Sequence, residues 1–279
     1  MKFIFALIVA VVFLSNAAAF SQSVILWKNE SPPAGFTTRE ELTLNLDEGK
    51  FKLGIGDKGV VGTARAFVHD IVTRTQLGVG EQEAEVGESV RNIVFSFGKK
   101  GEPKDTAGHL AGKKITGGKI DGHWKFGLVG KKKTEAAEAT ALRQFAGYTE
   151  FVEALGLIYG EEARKVGDVW KPDLSAVKKV YVGLDVDLLC KLEDVSEKDG
   201  DRIARISVKG HLGGEVAAGS NVRVEISGTI SRSLRDMIDT DLEMSGTFNY
   251  TGAFGKSSAL GAQAEISAPL KVRRTVVKK

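Results

Sequence analysis

The sequence predicts a mainly β protein with a helical middle: a curved antiparallel sheet or half-barrel with about three helices packed on its apolar face. Three observations carry this. Apolar and polar residues alternate at period two on both sides of the chain's centre. Turn residues separate the alternating runs. Over residues 134–158 the alternation gives way to helical spacing.

The chain opens on an export signal. Lys2 supplies the positive start, Phe3 to Leu14 is an unbroken apolar run, and Ala17-Ala18-Ala19 fits the small-residue rule for cleavage. A membrane-spanning helix needs about 20 apolar residues, and this run is shorter. The expected division is a signal peptide over 1–19 and one β-rich domain over 20–279, with strands in 23–130, helices in 134–180 and strands again in 182–277. Such a protein is periplasmic or extracellular. Loss of Lys2 with the signal takes the formal charge from +3 to +2. A near-neutral, mixed surface does not point to nucleic acid. Cys190 is the only cysteine, so no intramolecular disulfide forms and stability rests on packing.

In the N-terminal part, Leu42, Leu44 and Leu46, the Asp47-Glu48-Gly49 turn, and Phe51, Leu53 and Ile55 read as a hairpin. Val60 to Thr73, Arg91 to Phe97, and Trp124, Phe126 and Leu128 add strands. Glu81, Glu83, Glu85 and Glu88 mark an acidic loop; Lys99, Lys100, Lys104, Lys113 and Lys114 mark a basic, Gly-rich one. Helical spacing follows in Ala139, Leu142, Phe145 and Ala146, and again in Phe151, Leu155 and Ile158. Thr134 and Thr149 are candidate N-caps, with Gly147 and Gly160 as candidate stops. Pro172 opens a third short helix with Leu174 and Val177 on its apolar side.

The C-terminal strands alternate most clearly. Leu184, Val186, Leu188, Cys190 and Leu192 share one face, as do Val222, Val224, Ile226 and Ile230; Ile238, Leu242, Met244, Phe248 and Tyr250; and Ala264, Ile266, Ala268, Leu270 and Val272. Asp199-Gly200 sits between two such runs as a hairpin turn.

Chemical motifs are few. Gly54 to Gly59 matches the dinucleotide glycine pattern, but a β-prone run follows where a helix is needed, so it reads as a hairpin. In Gly127 to Thr134, Lys132 stands where a phosphate loop needs glycine. His69, His109, His123 and His211 have no metal-ligand spacing, and Asp236, Asp239, Asp241 and Glu243 lack the layout of a calcium loop, with the last three on a solvent face. Cys190, between Leu188 and Leu192, reads as a buried structural thiol. Gly108-His109-Leu110-Ala111-Gly112 and Gly210-His211-Leu212-Gly213-Gly214 echo each other, either by chance or as a relic of duplicated halves. No catalytic residue, metal site or cofactor is expected.

The order of strands, helices and strands over residues 40–277 resembles the outer-membrane lipoprotein carriers of the bacterial periplasm. In that family an incomplete antiparallel barrel holds helices over an apolar concave face that binds acyl chains. Val166-Gly167-Asp168-Val169-Trp170-Lys171-Pro172 is also similar to a phrase found in uncharacterised exported bacterial proteins. The resemblance implies a non-enzymatic binding or carrier protein for a lipid or other apolar ligand; strand alternation supplies the candidate apolar face, Leu188, Val224, Ile226, Leu242, Met244 and Phe248. The alternatives are an envelope module that binds another envelope protein through a closed core, and an enzyme whose groups converge only in space.

Overall fold

The computed structural model describes residues 23–27, 32–55, 58–97, 104–131, 133–175, 184–217, 219–253 and 262–279. The proposed signal peptide therefore lies outside the described residues, as do Lys99, Lys100 and Val177. Two antiparallel meanders build the sheet. The first runs through β2 (Thr37–Ile55), β3 (Lys58–Gly78), β4 (Glu81–Ser96), β6 (Lys113–Ile120) and β7 (His123–Leu128), with β5 (Thr106–Ala107) pairing onto β4. The second runs through β10 (Leu184–Lys198), β11 (Asp201–Ala217), β12 (Ser220–Ser233), β13 (Asp239–Ala253) and β14 (Gln263–Lys278). Antiparallel pairing of β14 with β2 joins them into one sheet of twelve strands, with β9 (Val169–Trp170) on the far edge of β10.

The middle of the chain connects the two edges of this sheet. From β7 it enters α1 (Ala136–Leu155), a 3-10 turn (Gly156–Ile158) and β8 (Ala163–Arg164), which pairs with β1 (Val24–Ile25), and then reaches β9. Two cores follow from that path. Leu142 of α1 packs on Val72, Val86, Ile115 and Leu128 of the first meander. Tyr159, Trp170 and Leu26 pack on Leu188, Leu192, Ile206, Ile230 and Leu242 of the second. A third, small cluster joins Phe51, Ala64 and Ala264. All these sheet residues lie on one face, which we call the inner face.

Two glycines mark close approaches between strands. The alternation of β12 and β13 lapses at Gly228 and Gly246, which are inner-face positions. A Cβ on Gly246 would meet the Glu225 carbonyl oxygen at 1.7 Å, and one on Gly228 the Glu243 oxygen at 1.9 Å. Only a missing side chain lets the neighbouring backbone come this close.

The helical expectation is corrected: among the described residues there is one α-helix, not about three. α1 runs straight through Gly147, the expected stop. A mid-helix glycine costs only about 1 kcal/mol relative to alanine, less than the Leu142, Ala146 and Thr149 face gains by staying on the sheet. Thr149, the expected second cap, instead bonds back to the Phe145 carbonyl at 2.9 Å. The cap used is Glu135, in a reciprocal pair with Glu138, rather than Thr134. Residues 171–174 after β9 are irregular, though Leu174 is buried in the second core.

Two further expectations change, and one open alternative closes. Asp47-Glu48-Gly49 is no hairpin turn: β2 is a single strand of 19 residues, and the pairing register shifts there against both neighbours. A bulge swaps strand faces just as a turn does, so Leu46 and Phe51 both remain inward despite their odd spacing. The acidic stretch 81–88 belongs to β4, where Gln82, Ala84 and Val86 are buried between the glutamates. The repeated Gly-His-Leu phrases are not structural equivalents, since 108–112 is mostly turn and 210–214 lies within β11. The expected hairpins at Gly54–Gly59 and Asp199-Gly200 form, with Gly54 opposite Gly59 and Lys198 opposite Asp201. Asp199 and Gly200 both take positive φ, 51° and 71°, as a tight two-residue turn requires.

Candidate binding site

Between the two large cores lies the centre of the inner face, where β3, β2 and β14 adjoin. Leu42, Leu44 and Leu46 of β2 point inward here, all half-buried. Leu44 sits between Val272 and Val68, and Leu46 between Leu270 and Ala66. Ala66 in turn faces Ile93, which is 60% exposed. Leu42, Leu44, Leu46, Val68 and Ile93 belong to none of the three packed clusters among the described residues. One ion pair interrupts the strip: Arg91 grips Asp70 through two bonds of 2.8 Å.

The six residues singled out from the sequence share this face but not one environment. Leu188 and Leu242 are 6% and 7% exposed within the core closed by Tyr159 and Trp170. Ile226 and Met244 are half-buried against that core. Val224 is buried, and its cross-strand partner Phe248 is half-buried and lies outside the clusters. The leucines of β2 carry the same alternation as the C-terminal strands. Only the β14–β2 pairing places them beside that set, so sequence reading missed them as site residues.

One end of this face is polar. A cleft of about 500 Å³ opens between the last turns of α1, the loop before β13 and the ends of β2, β3 and β14. On β2 the inner face passes from Leu42 to Glu40; on β14 it passes from Val272 to Arg274. Glu40, 3% exposed, receives Arg74 at 3.2 Å, Arg274 at 2.8 Å and the Tyr148 hydroxyl. Burial alone would raise the Glu40 pKa, but the Arg274 and Arg74 charges and the Tyr148 and Arg274 hydrogen bonds outweigh it and hold it at about 2. Burial, with the neighbouring Glu40 charge, pushes the Tyr148 phenol up, so it remains a donor. Arg74 also reaches Thr149 at 3.2 Å and lies 4.3 Å from the Phe145 ring centroid, which pins α1 to the sheet.

A second polar group lies next to the first. Asp239 accepts from Arg232 at 2.5 Å and from the Tyr159 hydroxyl at 2.7 Å. The sequence placed Asp239 on a solvent face; its side chain is only 9% exposed. A register shift between Ser231 and Arg232 sets Asp239 opposite Arg232 and turns it inward. At the rim, Lys278 and Arg235 hold Asp236 at 2.7 and 3.4 Å.

These groups are ion pairs and two phenols, Tyr148 and Tyr159, which burial keeps protonated. Cys190 is fully buried, and burial, opposed only in part by the Arg164 charge, pushes its thiol up to about 12. Among the described residues no group of three His, Cys, Asp or Glu side chains is placed to hold a metal ion.

No protein-family model matches the chain, and no curated protein matches it. Among solved structures it is similar to lipovitellin, in work on lipid–protein interactions, at 6% identity and a TM-score of 0.43. That match covers 89% of this chain and 25% of the other, so the chain spans about a quarter of the lipovitellin chain. It is also similar to an outer membrane channel from Pseudomonas putida F1, at 10% identity and a TM-score of 0.25, covering 90% of this chain and 97% of that one. At such scores neither likeness bears on what this chain binds.

Proposed function

We propose that the chain is an exported, non-enzymatic carrier that holds an apolar or lipid-like ligand against the inner face of its sheet. The observation that carries this reading is the strip Leu42, Leu44, Leu46, Val68 and Ile93, which is apolar, inward and outside every packed cluster among the described residues. Apolar side chains gain roughly 25 cal/mol for each Å² removed from water, so a contiguous strip of them favours an apolar occupant. The outer face argues against lipid there, because Thr43, Asn45, Arg223, Glu225, Glu243 and Lys271 alternate onto it.

Titration of the purified protein with a fluorescent fatty acid tests the reading. Saturable binding is expected, and Leu44→Glu should weaken it at least about tenfold, since a carboxylate in an apolar site loses its hydration. Leu44→Glu should still give the wild-type circular dichroism spectrum. Absence of saturable binding, or equal binding by Leu44→Glu, would overturn the carrier. Export is tested by N-terminal sequencing of the protein from its native host: a start at or just after Phe20 is expected, and retained Met1 refutes it.

A further inference from the structure

We infer that the cleft at the polar end of the inner face receives the anionic headgroup of the ligand, while its acyl chain lies along Leu42, Leu44 and Leu46. This rests on the carrier reading and specifies its ligand as an amphiphile with a carboxylate or phosphate head.

Charge is the first observation. Arg74 and Arg274 share one carboxylate, Glu40, and Arg232 has one, Asp239. Three largely buried guanidinium groups thus face two carboxylates, with side-chain exposures of 14% for Arg74 and 11% for Arg274. Paired rim charges do not cancel this excess: the cleft is lined by Arg74, Arg232, Arg235, Arg274 and Lys278 against Glu40, Glu153, Asp236 and Asp239. A positive charge held away from water is costly unless an anion meets it. Among the described residues Arg274 makes a hydrogen bond only through Nε, to Glu40, which leaves its terminal nitrogens for such an anion. Guanidinium forks suit both carboxylate and phosphate.

The second observation is independent of charge. Trp124 lines the same cleft and is 5% exposed, yet its indole N–H has no acceptor. Buried donors are almost always satisfied, so an unmet one at a cleft marks a place for an acceptor. A headgroup oxygen supplies one. Trp124 is held by stacking on Phe126, with ring centroids 5.3 Å apart, and by a bond from its backbone N–H to Glu150 at 2.9 Å.

The third is continuity. Arg274 is the direct cross-strand partner of Leu42, so the polar end and the apolar strip touch. From Leu42 to Leu46 the strand advances about 13 Å at roughly 3.3 Å per residue. One acyl chain spans about 15 Å, half the thickness of a bilayer's hydrocarbon core. Head and tail therefore match the lengthwise polarity of the face.

The test displaces a bound fluorescent fatty acid with three competitors of equal chain length: a fatty acid, its methyl ester and a lysophosphatidic acid. At pH 7 the anionic competitors should displace the probe at least about tenfold better than the ester. The stronger of the two identifies the head as carboxylate or phosphate. Trp124→Phe keeps the ring and removes the donor. It should weaken displacement by the better anion severalfold and leave the ester unchanged, as should Arg274→Gln if it melts as a folded protein. Equal displacement by ester and anions, or anion preference untouched in Trp124→Phe, overturns the headgroup site and leaves the carrier standing. If the wild type takes up no probe at all, both readings fall.

Discussion

Removal of the Glu40 charge should show how much of the fold depends on the polar end of the inner face. The perturbation is Glu40→Gln, which keeps size and hydrogen-bonding shape but leaves Arg74 and Arg274 without their shared anion. Folding lowers the Glu40 pKa from 4.5 to about 2. At about 1.36 kcal/mol per unit, the ionised carboxylate stabilises the fold by about 3 kcal/mol near neutral pH. Removing one partner of a buried ion pair generally costs about 3–5 kcal/mol, which agrees. The sign follows from the depressed value. Between pH 4.5 and about 2 the unfolded chain takes up a proton that the folded one refuses, so the contribution is whole above pH 4.5 and fades as pH falls. With these values, less than half of it should remain at pH 3. Urea unfolding of both proteins at pH 7, 4 and 3 measures the gap directly. A gap within about half a kcal/mol at pH 7, the range of an ordinary surface substitution, would show that Glu40 does not tie β2, β3, β14 and α1 together. A gap that stays constant down to pH 3 would equally refute the assigned ionisation.

Other substitutions probe the frame around the site. Gly147→Ala should raise stability by about 0.5–1 kcal/mol in the same unfolding assay, because the residue is exposed in mid-helix and nothing stands within 4 Å of an added Cβ. Gly246→Ala should destabilise by several kcal/mol or prevent soluble expression, since its Cβ would overlap the Glu225 oxygen and β12 and β13 must part to relieve that; near-wild-type stability would mean that the close approach of the strands does not need the glycine. Cys190 should react with a thiol reagent at pH 8 only after urea is added, because burial both hides the sulfur and keeps it protonated.

Much of this protein is decided locally and was legible in the residues. Leu188, Cys190 and Leu192 share a face because residues two apart in a strand always do, and that face proved to be the buried one. Asp199-Gly200 makes a turn because its positive φ values suit those residue types. Local rules were ambiguous where two structures share one pattern. Asp47-Glu48-Gly49 swaps faces as either turn or bulge, and the choice fell to the pairing of β2 with β14 and β3. Gly147 stops a helix only when no packed face holds the next turn in place, and Thr149 is buried under such a face.

Tertiary structure alone decided the candidate site. Glu40 and Arg274 are 234 positions apart, and only the joining of the chain's two ends makes them neighbours. Asp239 turned inward through a register shift that no alternation announces. Which apolar inward residues are covered was likewise settled by long-range geometry. The connection from β7 to β9 crosses the face with α1 over one flank and Tyr159 and Trp170 over the other. Leu242 and Leu44 carry the same local pattern, yet one is sealed in a core and the other belongs to none. Alternation fixes the side of a strand on which a residue lies, because that depends on its own backbone; what meets it there depends on where distant segments must pass to reach their own strands.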